Sequence, residues 1–156
     1  MNKTVALILD ELNNKGLVSL VPKGNSMLPF FRSKRQSVII AKKTERLKVY
    51  DAALYRREDD TLILHRVISV LPDGYVFVGD NTTEQESVPE ENVLGVVCGF
   101  FKNKKYVSAD DKSYVKRVQK WYKNEKTRRR KSKLIYFRLH LAEKIKRVFG
   151  LGKNND

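Results

Sequence analysis

Between residues 17 and 108 the chain breaks into short β-type runs separated by tight turns, and this spacing limits the fold more than any other feature. The runs cover residues 17–21, 37–41, 52–55, 62–71, 75–78 and 93–107, the last with an expected break near Gly99. Turn chemistry stands at Pro22-Lys23-Gly24-Asn25, Glu58-Asp59-Asp60 and Pro72-Asp73-Gly74. Parallel neighbours need a long crossover, usually a helix, and tight turns leave no room for one. The expectation is a mainly β, α+β fold: a small antiparallel sheet or partly open barrel.

Helical spacing appears only at the two ends. Val5, Ile8, Leu9 and Leu12 fall on one helical face and Gly16 stands where that helix would stop. After residue 110 two further helices are expected, at 111–128 and 132–149, divided by Arg128-Arg129-Arg130-Lys131. The chain therefore reads as an N-terminal helix (1–16), a β domain (17–109) and a basic helical extension (110–156).

Composition removes several classes of function. The single cysteine, Cys98, cannot form an intrachain disulfide, and with only His65 and His140 beside it a Cys/His zinc cage lacks ligands. Neither metal nor cofactor is expected. No run reaches the roughly 18 to 20 apolar residues of a membrane-spanning helix. Residues 5–9 are apolar, but Asp10 and Glu11 follow without a cleavage pattern, which makes a poor secretory signal and gives a cytoplasmic expectation. The net charge of +14 is uneven: residues 110–156 hold 16 Lys/Arg against 5 Asp/Glu, leaving only +3 for the rest. Such a tail seeks phosphate, of anionic lipid or of nucleic acid.

Three segments carry chemistry. Gly24-Asn25-Ser26-Met27-Leu28-Pro29 is a turn that presents a serine hydroxyl beside an apolar Met27. Taken alone, it reads as a plain turn. Leu64-His65-Arg66-Val67 lies in a strand whose alternation puts Ile63, His65 and Val67 on one face and Leu64, Arg66 and Ile68 on the other. Both faces are largely apolar, so His65 is expected to be partly desolvated, with a lowered pKa and a neutral ring. Gly79-Asp80-Asn81 follows the next strand, with Glu84 and Glu86 close behind. Asp80, or alternatively Glu86, is a candidate to accept a hydrogen bond from the second ring nitrogen of His65. A serine, a histidine and a carboxylate are the parts of an activated nucleophile.

In order, Gly-x-Ser-Met-x-Pro, a strand containing His-Arg-Val about forty residues on, Gly-Asp-Asn and Val-Pro-Glu-x-Asn-x-x-Gly resemble the signal peptidase and LexA-type serine peptidase superfamily over residues 18–100. The resemblance implies a fold of that catalytic type, Ser26 as nucleophile, His65 as general base in the manner of the endoplasmic-reticulum enzymes, and Asp80 as the aspartate of the Gly-Asp-Asn box. Asp51 would match the aspartate that opens the preceding strand. Set against that family, neither the usual amino-terminal anchor nor the DNA-reading domain of LexA-type repressors is expected from the residues before Ser26. Gly24 replaces a serine that helps hold the oxyanion in many relatives, so the backbone N–H of Ser26 would carry that role.

The implied activity is endopeptidase cleavage of an extended peptide or precursor segment, as in signal peptide processing. The rivals are a self-cleaving regulator of LexA type, weakened because the only Cys-Gly pair, Cys98-Gly99, follows the serine, and a non-catalytic binding module. In the tail, Leu134, Ile135, Leu139, Leu141, Ala142, Ile145, Val148 and Phe149 form an apolar stripe flanked by Lys and Arg. It reads as an interfacial helix on an anionic membrane's inner face or as a helix docked on its own domain, with nucleic acid as a weaker third partner.

Overall fold

The computed structural model describes residues 2–33 and 36–148. The first helix, α1 (Lys3–Lys15), starts where the Asn2 side chain accepts the Thr4 N–H, satisfying a donor the first turn leaves free. It stops at Gly16, which takes φ +73° and donates its N–H to the Leu12 carbonyl. The expected inner face is the buried one: Val5, Ile8 and Leu12.

Eight strands follow: β1 (Leu17–Leu20), β2 (Val38–Lys42), β3 (Ala52–Arg56), β4 (Leu62–Val70), β5 (Gly74–Val78), β6 (Gln85–Pro89), β7 (Val93–Lys102) and β8 (Lys105–Ser108). They form one antiparallel sheet in the order β1-β2-β7-β3-β4-β5-β6, with β8 paired to β7. The sheet is open, with β1 and β6 at its ends, and with the helices it makes the α+β fold expected from the turns. Two details differ from the sequence reading. The last long run breaks at Asn103 and Lys104, both at positive φ as a tight hairpin requires, and Gly99 stays inside β7. Strand β6 was not anticipated, because of its five residues only Val88 is buried and the segment reads as polar loop.

Each face of the sheet carries a buried apolar cluster. On one, α1 packs with Met27, Phe30, Phe31, Ile40, Leu54, Tyr114 and Val118. On the other, Leu47, Ala53, Tyr55, Val67, Tyr75, Phe77 and Val88 form a second cluster. Strand β3 feeds both, which explains why four of its five residues are buried. The alternation expected in β4 holds: Val67 enters the second cluster, while Arg66 bonds the Tyr114 hydroxyl on the first side.

After residue 110 the helices are α2 (Lys112–Tyr122) and α3 (Glu125–Val148). The expected division at the Arg128–Lys131 knot is wrong; the chain breaks at Lys123-Asn124, and the knot lies inside α3. Asn124 makes the break by accepting the Thr127 N–H as an N-cap. Arg128 is buried rather than solvated, at 5% exposure. Of the expected apolar stripe, the side chains at 145 and 148 and all of residue 149 lie outside the described residues. Among the described residues no helix is long and apolar enough to cross a membrane.

Candidate active site

Ser26 sits in the loop between β1 and β2. Gly24 takes φ +76°, a left-handed conformation that suits glycine, and Met27 is buried directly after the serine. The Met27 carbonyl accepts the N–H groups of Phe30 and Phe31, and both rings enter the first core, so the loop is anchored just past Ser26. The Gly79-Asp80-Asn81 turn holds it from the other side. Asn81 donates its backbone N–H to the Ser26 carbonyl at 2.7 Å and its side-chain amide to the Asn25 carbonyl at 3.3 Å. Two of the sequence boxes are thus joined through the backbone.

His65 comes from β4, where it pairs with Ala53. Its Nδ1 lies 3.3 Å from the Tyr55 hydroxyl, and that hydroxyl donates to Glu86 Oε2 at 2.8 Å. With its one proton directed to the carboxylate, Tyr55 faces Nδ1 as an acceptor. This places the ring proton on Nδ1 and leaves the Nε2 lone pair free to act as a base. Glu86 is held by Arg57, whose Nε and Nη2 each donate at 2.8 Å. Burial pushes the His65 pKa below its ordinary value, opposed by the negative charges of Glu86 and Asp80. The hydrogen bond from Arg57 keeps Glu86 ionised by lowering its pKa.

Gly79 lies where Ser26 and His65 approach one another. A Cβ there would come within 2.7 Å of Thr82 Oγ1, 2.9 Å of the Ser26 carbonyl and 3.1 Å of His65 Nε2. Only glycine fits without displacing them. Ser26 and His65 also line one cleft of about 410 Å3 with Leu20, Val21, Met27 and Leu64. The Ser26 N–H makes no hydrogen bond among the described residues, so it is available to an incoming carbonyl oxygen. Ser26 Oγ and His65 are not hydrogen-bonded to each other here, and such contacts commonly tighten only when substrate fills the site.

Asp80 does not contact the imidazole: among the described residues no hydrogen bond joins them. Its carboxylate receives Arg66 Nε and Nη2, each at 2.7 Å, and the Tyr122 hydroxyl at 2.6 Å, with both Asp80 and Arg66 buried. Its backbone carbonyl accepts the Trp121 indole at 2.8 Å. Of the two carboxylates weighed from sequence, Glu86 is the one connected to the ring, through Tyr55. Asp51 closes its own turn, accepting the Lys48 N–H at 2.7 Å, and half-burial raises its pKa.

Tyr55, Arg57 and Arg128 were not singled out from the sequence. Alternation puts Tyr55 on the same face as Ala53, but the β3–β4 register that sets Ala53 against His65 comes only with the folded sheet. Arg128 reaches back to donate to the carbonyls of Thr82 at 2.6 Å and Gly79 at 3.5 Å. Among the described residues no group of three or more His, Cys, Asp or Glu could hold a metal ion. No model of a known protein family matches the chain, and no curated protein matches it.

Proposed function

We propose that the chain is a serine endopeptidase of signal-peptidase-like type, with Ser26 as nucleophile and His65 as general base. The observation that carries this reading is the arrangement around His65: the Tyr55 hydroxyl, itself bonded to Glu86, takes the Nδ1 side, while Nε2 lies beside Gly79 and makes no hydrogen bond among the described residues, and the ring lines the same cleft as Ser26. A structural histidine would be expected to satisfy both nitrogens.

In the reaction, neutral His65 takes the Ser26 proton on Nε2 as Oγ attacks the peptide carbonyl carbon. The carbonyl oxygen becomes an oxyanion that accepts from the Ser26 N–H. Protonated His65 then gives its proton to the departing amine as the C–N bond breaks, leaving an acyl ester on Ser26. Water, deprotonated by His65, attacks that ester and restores the hydroxyl. The imidazolium is stabilised by the Glu86 charge relayed through Tyr55, the part a direct carboxylate plays in other serine peptidases. The apolar wall of Leu20, Val21 and Leu64 suits an extended apolar segment, and the open edge of β1 suits backbone pairing with it. By resemblance, small residues precede the cut.

Ser26→Ala and His65→Ala should each abolish cleavage of such a peptide while leaving the far-ultraviolet circular dichroism unchanged. An active-site acylating reagent should label Ser26 in the parent chain and label it far more slowly in His65→Ala. Wild-type cleavage by either variant ends the proposal.

A further inference from the structure

The two sides of α3 have different surroundings. With about 3.6 residues per turn, Arg128, Ser132, Ile135 and Leu139 share one side. Arg128 and Ser132 are buried, and Ile135 and Leu139 line a groove with Asn25, Leu28 and Pro29 of the serine loop. This side is docked on the protein. Leu134, Phe137 and Leu141 lie on the opposite side, 49%, 63% and 45% exposed. Arg130 falls among them, and Lys133, Arg138 and Lys144 flank them, all exposed.

From this we infer that the outer side of α3 is a docking surface for an anionic lipid membrane, on which the helix lies parallel to the surface with Leu134, Phe137 and Leu141 inserted among the acyl chains. Charge selects this occupant. A second copy of the chain would set Arg130, Lys133, Arg138 and Lys144 against the same cations, within a segment already carrying +11 over residues 110–156. Nucleic acid would satisfy the cations but leave three large apolar side chains in water. An anionic bilayer meets both needs: headgroup phosphates pair the flanking Lys and Arg, and the interface removes the apolar stripe from water. Because the inner side faces the serine loop across that groove, a docked chain holds Ser26 near the membrane, where a precursor segment leaving the bilayer would be met. The binding itself does not depend on the peptidase reading.

The test is co-sedimentation of the full chain with vesicles of mixed phosphatidylcholine and phosphatidylglycerol, against pure phosphatidylcholine, at low and high salt. The expected result is binding to the anionic vesicles alone, weakened by salt. The combined variant Leu134→Ser, Phe137→Ser, Leu141→Ser should lower partitioning by at least about tenfold. Arg130→Gln and Lys133→Gln should each lower it about fivefold. All these side chains are exposed, so the thermal midpoint should not move, and a variant that loses its fold is replaced by the glutamine pair. Full-length protein that ignores anionic vesicles overturns the inference, as does binding unchanged by the serine substitutions. Concentration-dependent dimerisation removed by the serine substitutions, or oligonucleotide binding without vesicle binding, overturns it equally.

Discussion

At the scale of single residues, the site depends on which nitrogen of His65 carries the proton, and that is decided by a neighbour's hydroxyl. Tyr55→Phe removes the acceptor for Nδ1–H, so the ring is free to take the other tautomer or to rotate. The turnover rate should fall on the order of tenfold to a hundredfold with little change in KM. Glu86→Gln keeps an acceptor for Tyr55 but removes a charge that raises the His65 pKa. Because the base must be neutral, the rate rises with pH through that pKa. The acid limb should lie below about 6.5 in the parent chain and move to lower pH in Glu86→Gln. A limb that stays in place, followed through kcat/KM against pH, means that Glu86 does not act on the ring. Ser26 and His65 stand out in the sequence as candidates because their neighbours, Gly24 and Met27, Arg66 and Val67, mark them out. Tyr55 was not, since its relation to His65 exists only once β3 and β4 are paired in register.

At the scale of elements, the sheet was legible and the tail only in part. Turns and alternation carry direct signals of an antiparallel sheet, whereas β6 pairs through its backbone with mostly polar side chains and carries little. The run of four basic residues at 128–131 resembles a solvated linker, yet helix periodicity turns Arg128 inward and leaves Arg129 and Arg130 outside. Composition does not record which of four cations finds carbonyl acceptors. The two neighbours should therefore behave differently. Arg128→Met takes a cation from the carbonyls of Thr82 and Gly79 and should cost about 2 kcal/mol by urea unfolding. It should also slow cleavage, because the same turn holds the Ser26 carbonyl through the Asn81 N–H. Arg129→Met breaks only an exposed pair with Glu125 and should stay within about 0.5 kcal/mol. Equal effects at the two positions would show that Arg128 does not anchor α3.

Across the whole molecule, the ion pair of Arg66 and Asp80 ties the sheet to the helices. Arg66 also donates to the Tyr50 carbonyl at 2.8 Å and the Tyr114 hydroxyl at 3.2 Å, and its guanidinium lies over the Phe30 ring at 5.2 Å. Asp80 meets Trp121 and Tyr122 of α2. The pair thus joins β4, the turn after β5, α2 and the aromatic side of the first core. Removing one partner of a buried pair leaves the other charged and unsolvated, which costs about 3 to 5 kcal/mol, a large share of the roughly 5 to 15 kcal/mol that holds a domain folded. Asp80→Ala should accordingly lower the urea midpoint sharply and lose cleavage as a result of that loss. Glu86→Gln, at a partly exposed position that keeps an acceptor for Tyr55, should hold its midpoint while its pH profile moves. The two measurements together separate a carboxylate that holds the fold from one that tunes the base. In Asp80→Ala, a full parent midpoint with cleavage abolished would return Asp80 to the catalytic unit. A reduced midpoint, with activity recovered under stabilising conditions, keeps it in the scaffold and leaves the charge beside His65 to Glu86.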